Sequence, residues 1–176
     1  MRWLGFAICA ALVLTLQTTV AWRLEIRGAQ PEWMLVLAVF FALHARSVDA
    51  LIGAWLLGAL MDNYSMARFG LLSGCYALST LAIYAARNHV FRDNPLTHFA
   101  VTFVAAAAVG AMVAVYRVAV GVEAGSSVPA AAGSVLLGAV YTAVWAPPLH
   151  HLLLKFPGLL GIRSPRRSYR LRRIKG

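Results

Sequence analysis

The sequence is a succession of apolar runs of about the length that crosses a bilayer, separated by short polar segments. The first run, residues 3–22, is twenty residues long and carries no charge. A helix of about 20 apolar residues spans the hydrocarbon core. Charged residues make up only 12% of the chain, about half the share found in a soluble domain. This pattern argues against a soluble globular protein and predicts an integral membrane protein.

Six such runs predict an all-α, polytopic membrane helix bundle over residues 1–162, with about six transmembrane helices. The runs are residues 3–22, 31–43, 48–61, 69–86, 97–120 and 130–154. A cleaved signal sequence is an alternative for the first, since Arg2 precedes it and the small Ala21 lies near its end. The second and third runs rise only about 20 Å each, so they form either two short spans in a thinned bilayer, which we favour, or a re-entrant hairpin. Pro147 and Pro148 are expected to kink or shorten the last helix.

The basic residues orient the bundle, because they favour the cytoplasmic side of a membrane. With six spans and an N-terminus inside, twelve of the 16 Lys and Arg are cytoplasmic: Arg2, Arg46, Arg87, Arg92, Lys155 and seven in the C-terminal tail. The outer side holds Arg23, Arg27, Arg68 and Arg117. We therefore predict that both termini are cytoplasmic.

The tail, residues 163–176, is a separate basic segment. Its seven cations are Arg163, Arg166, Arg167, Arg170, Arg172, Arg173 and Lys175. A net charge of +10 often indicates nucleic-acid binding, but beside a membrane a basic tail favours anionic lipids of the cytoplasmic leaflet. We predict contact with anionic lipids and no binding of nucleic acid.

The chain carries no pattern typical of an enzyme or a metal site. No GxSxG, HExxH, CxxC or P-loop motif occurs. His150 and His151 are adjacent, so they point to different faces of a helix and are poorly placed to bind one metal ion. The two cysteines, Cys9 and Cys75, lie inside apolar runs. We predict a non-enzymatic protein with no cofactor and no metal.

Asp62 ends an apolar run, at the outer end of the predicted third span, where the helix dipole disfavours an anion. The sequence offers two ways to compensate its charge. It caps a short turn that begins at Asn63, or it pairs with Arg68 or Arg117 on the same side. A role in ion transport is a third possibility, which we do not favour because no second acidic residue lies within a span. A cap at the water interface and a buried or partner-facing structural anchor therefore both stay open for Asp62.

A longer pattern surrounds Asp62. A Pro and an acid open an apolar run, a basic turn follows, the next span ends in G-x-x-x-D, and a Gly leads the span after that. These positions are Pro31, Glu32, Arg46, Gly53, Gly58, Asp62 and Gly70. With them, residues 31–87 resemble the bacterial rod shape-determining membrane protein family MreD. The family often has Asp at the position of Glu32, and its pattern does not account for the basic tail.

The resemblance implies a scaffold of the cell-elongation complex in the bacterial inner membrane. It would bind the single-span protein MreC and other elongation-complex proteins, and would link MreB filaments to peptidoglycan synthesis and cell shape. The family's fold is similar to the substrate-binding subunits of energy-coupling-factor transporters, so a vitamin-type binding subunit of a transporter is the alternative. A vitamin pocket needs converging polar groups, whereas these spans offer mostly Ala, Val and Leu, which favours the scaffold. The seven pattern residues are then candidates for partner binding or for a structural role.

Overall fold

A computed structural model describes residues 3–26, 29–65, 68–86, 94–121 and 128–156. Six α-helices lie in these ranges: α1 (Trp3–Thr19), α2 (Trp33–His44), α3 (Ser47–Asp62), α4 (Leu71–Ala86), α5 (Pro95–Ala119) and α6 (Val128–Leu154). The described residues contain no β-strand, only a single bridge between Ile26 and Ala29. The predicted all-α class is confirmed within these ranges.

The helices differ widely in length. By length and composition, α5 and the part of α6 from Ala131 to Leu154 qualify as membrane-crossing helices, whereas α1, α2 and α4 are apolar but shorter. The last helix continues to Leu154 through Pro147 and Pro148, so of the two predicted effects shortening is wrong, and a kink stays a prediction. Helices in membrane bundles tolerate proline because neighbouring groups satisfy the carbonyl that it leaves free.

The shortest helix, α2, lies at the centre of the bundle. Every side chain from Met34 to Leu43 is at most 1% exposed, and α2 contacts all five other helices. Its sequence is apolar on every side, which is typical of a helix surrounded by others. The core of the protein is therefore built around residues 33–44.

Side chains from both flanks of the bundle hold the beginning of α2. The amide of Gln17 in α1 donates to the carbonyl of Pro31 at 2.9 Å and accepts from the N–H of Trp33 at 2.8 Å. The hydroxyl of Thr142 in α6 accepts from the N–H of Glu32 at 3.1 Å. These bonds satisfy backbone groups that a helix start leaves without partners.

Large apolar side chains cover the outside of the bundle on every helix except the central one. Examples with half or more of their surface exposed are Leu12, Trp55, Leu78, Val104 and Val144. Such a surface suits lipid acyl chains better than water. It is what the apolar composition of the chain predicts for a membrane bundle.

Candidate functional site

Asp62, the last residue of α3, is 3% exposed and binds the beginning of α4. Its Oδ2 accepts from the N–H of Gly70 at 2.9 Å, the N–H of Ser73 at 3.1 Å and the hydroxyl of Ser73 at 2.6 Å. Its Oδ1 accepts from the N–H of Leu72 at 2.8 Å. Gly70 directly precedes α4, and Leu72 and Ser73 lie in its first turn, whose amides lack intrahelical acceptors and carry partial positive charge. Asp62 therefore caps a helix other than its own.

This arrangement differs from both ways of compensating the Asp62 charge that the sequence suggested, a cap of the turn at Asn63 and an ion pair with an arginine. Its donors are three backbone amides and a hydroxyl rather than a cation, and Arg68 is exposed. The turn at Asn63 is closed instead by the carbonyl of Met61, which accepts from the N–H groups of Tyr64 and Ser65, both at 3.0 Å. The carboxylate is thus compensated by a helix N-terminus eight to eleven residues further along the chain.

Gly58 lies one helical turn before Asp62, on the same face of α3, and lets α4 approach closely. A Cβ atom at Gly58 would lie 2.4 Å from the Cα of Ser73 and 2.7 Å from both the carbonyl oxygen of Leu72 and the N of Ser73. These are backbone atoms, which cannot rotate away as a side chain can. The spacing G-x-x-x-D is therefore explained: the glycine permits the close contact and the aspartate caps the backbone that makes it.

Gly70 completes the site through its conformation. Its φ is +104°, a value that L side chains rarely adopt, and its N–H donates to Asp62 at 2.9 Å. The structure thus brings Gly58, Asp62 and Gly70 together with Ser73. We call these four residues the outer clamp, because they lie at the predicted outer end of the bundle.

The other pattern residues lie elsewhere. Gly53 is buried in the middle of α3, and Arg46 is exposed at the joint between α2 and α3. Pro31 is buried and Glu32 half-buried just before α2, at the same end of the bundle as the outer clamp. The seven basic residues of the tail lie outside the described residues.

Glu32 precedes α2, outside the helices, and its side chain makes no capping hydrogen bond. Its backbone N–H, rather than its carboxylate, is the group that the fold uses, through the bond to Thr142. The Asp62 carboxylate accepts four hydrogen bonds, whereas Glu32 helps to fix the start of α2 through its backbone N–H.

Three histidines that the sequence analysis did not connect meet beside α2, between Val36 and its last residue, His44. His150 of α6 is fully buried and His98 of α5 is 5% exposed, and their Nδ1 atoms are 2.8 Å apart. The Nε2 of His150 lies 3.1 Å from the carbonyl oxygen of Val36. A carbonyl only accepts, so neutral His150 carries its proton on Nε2, and the Nδ1–H of His98 donates to the Nδ1 of His150.

His44, at the end of α2, stacks on this pair, with its ring centroid 6.0 Å from that of His98 and the two rings inclined by 22°. The cluster joins α2, α5 and α6. The predicted topology could have indicated this cluster, because it places all three histidines near the cytoplasmic ends of their spans. Within the described residues, no group of three or more His, Cys, Asp or Glu side chains is arranged to hold a metal ion.

Comparison with protein families gives a match over most of the chain. A family model described as rod shape-determining protein MreD matches residues 1–156, which include all six helices. No curated protein and no solved structure matches the chain.

Proposed function

The chain belongs to the MreD family of rod shape-determining proteins, and we propose that it is a non-enzymatic scaffold of the bacterial cell-elongation complex. Membership supports a role in determining rod shape and a location in a membrane. The family is a shape-determining one and is not known for catalysis. In the proposed role the protein binds a single-span protein of the MreC type and couples MreB filaments to peptidoglycan synthesis.

The partner-binding surface in this proposal is the outer turn, residues 63–70, and the outer clamp is the observation that carries it. Asp62 directly precedes the turn and accepts hydrogen bonds from the N–H of Gly70, at the end of the turn, and of Leu72, just after it. These bonds hold the two ends of the turn together. Tyr64 is 61% exposed and Phe69 68% exposed on this turn. Aromatic side chains are enriched in protein interfaces, and holding the two ends of a turn together lowers the entropic cost of binding.

The proposed topology has six spans and both termini in the cytoplasm of the bacterial inner membrane. Its support is the distribution of Lys and Arg along the sequence together with the six helices. The outer turn then faces the periplasm, where the larger part of a single-span partner would lie, and the basic tail faces the leaflet that contains anionic lipids. In this topology one scaffold presents a binding surface on each side of the membrane.

Depletion of the protein in a rod-shaped host that depends on it is expected to produce round cells, whatever vitamins the medium contains. The physical reason is that loss of the scaffold uncouples wall synthesis from the filaments that orient it. Cell length and width are measured by microscopy, with re-expression of the wild-type chain as the control. Cells that stay rod-shaped would contradict the scaffold. Recovery with vitamins alone would also contradict it and would favour a transport subunit.

A further inference from the structure

The helices on two sides of the bundle suit membranes of different thickness. The pair α3 and α4 has 16 residues in each helix, and the pair α5 and α6 has 25 and 27. At 1.5 Å per residue, the first pair is about 24 Å long and the second about 37–40 Å. The hydrocarbon core of an ordinary bilayer is about 30 Å thick. One pair is therefore too short for that core and the other is longer than it.

Two contacts show where the extra length of α5 and α6 lies. The bond between His98 and His150 and the stacking of His44 on His98 place the start of α5 and the last part of α6 beside residues 36–44 of α2. At its other end, α2 begins beside Thr142, which accepts from the N–H of Glu32. The part of α6 from Val128 to Thr142 continues for about 20 Å beyond this level. The extra length thus lies mainly at the outer end.

The side chains that face outward require hydrocarbon on both sides of the bundle. On the α3 and α4 side, Ile52, Trp55, Leu78 and Leu81 are 43–59% exposed. On the extended part of α5 and α6, Val115, Val118 and Leu136 are 53–70% exposed. All of these residues are apolar, so burying both surfaces in one bilayer requires the bilayer to change thickness around the protein.

Charged residues limit the apolar face of α3 at both of its ends. Arg46 precedes α3 and is exposed, and Arg68 follows it in the outer turn and is also exposed. Cations of this kind remain near water or lipid head groups because the hydrocarbon core excludes them. The polar boundaries on this side are therefore set by the length of α3, and the bilayer accommodates a short helix by thinning.

We propose that the exposed face of α3 and α4 is a lipid-binding surface for short acyl chains, whereas the face of α5 and α6 binds chains of ordinary or greater length. The protein thus creates a step in bilayer thickness around itself. This inference rests on the proposed multi-pass location and on none of the proposed partners.

The test compares two matched cysteine variants of the full chain, Leu78→Cys on α4 and Val144→Cys on α6, each carrying a fluorophore. Both residues are apolar and exposed, at 59% and 54%, and both lie near the middle of their helices. The native Cys9 and Cys75 are buried, and labelled wild-type protein controls for them. Phosphatidylcholine vesicles contain a spin-labelled eighteen-carbon lipid that quenches the fluorophore, and unlabelled lipids with chains of fourteen to twenty-two carbons compete with it.

At Leu78→Cys, the fourteen-carbon lipid is expected to displace the spin-labelled lipid about two- to fivefold better than it does at Val144→Cys. The longest lipids should show the opposite order. The same chain-length preference at both positions would overturn the proposal. Absence of quenching at both positions would overturn the multi-pass location itself, and the proposal with it.

Discussion

Replacing Gly58 with alanine is expected to remove most of the folded protein from the membrane. The new Cβ would lie 2.4 Å from the Cα of Ser73, so α4 would have to move away from α3. Movement of the backbone at this contact also lengthens the hydrogen bonds that Asp62 makes to the same turn. Overpacking against a backbone that cannot adapt costs roughly 3 kcal/mol or more.

The matched control is Gly74→Ala, at the residue that directly follows Ser73 in α4. A Cβ atom at Gly74 meets nothing within 4 Å, and alanine is a better helix former than glycine by about 1 kcal/mol. Membrane abundance and resistance of the purified proteins to thermal unfolding in detergent are measured for both variants. Gly58→Ala is expected to fall well below wild type while Gly74→Ala equals or exceeds it; equal behaviour of the two would show that the close contact is not required.

Replacing Asp62 with asparagine is expected to destabilise the protein by about 2–3 kcal/mol. At an ordinary helix start Asn caps about as well as Asp. Here both carboxylate oxygens accept, Oδ2 from Gly70 and Ser73 and Oδ1 from Leu72. An asparagine has one oxygen, so its NH₂ group would face a backbone N–H donor, and the negative charge at the start of α4 would be lost.

Two further variants make this a graded series, measured by the free energy of unfolding in detergent. Ser73→Ala removes only the hydroxyl donor and is expected to cost about 1 kcal/mol. Asp62→Ala leaves three backbone amides and a hydroxyl without their acceptor and should cost more than Asp62→Asn. If Asp62→Asn matched wild type, the carboxylate would be an ordinary cap whose charge and second oxygen add nothing.

The sequence predicted the helices better than their arrangement. Apolar runs ended by polar residues are local signals, and they located six helices closely, the two short ones included. The central position of α2 depends on contacts from five other helices, although its uninterrupted apolar sequence is a sign of it in retrospect. Pro147 suggested an early end to α6, because the local rule omits the neighbours that satisfy freed backbone groups in a bundle.

In the candidate site too, local features were predicted from the sequence and contacts between helices were not. The position of Asp62 at the end of a span and the G-x-x-x-D spacing were visible in the sequence. A capping role for Asp62 was proposed, but the helix that it caps was not identified, because the donors belong to the next helix and are backbone groups that are alike in every residue except proline. Likewise, His150 was judged from its neighbour His151, whereas its actual partners, His98 and the Val36 carbonyl, are distant in sequence.

The central claim is that the outer turn, held by the outer clamp, binds a single-span partner of the elongation complex. Photo-crosslinking in living cells tests it most directly, with p-benzoyl-phenylalanine placed at Tyr64 or at Phe69. Phe156 is the control position, since it is also an exposed aromatic residue, at 57%, but lies beyond His150 at the opposite end of the bundle. We expect a covalent adduct with an MreC-type protein from Tyr64 and Phe69 and none from Phe156. An adduct from Phe156 alone, or adducts with lipid only at the two turn positions, would contradict the account.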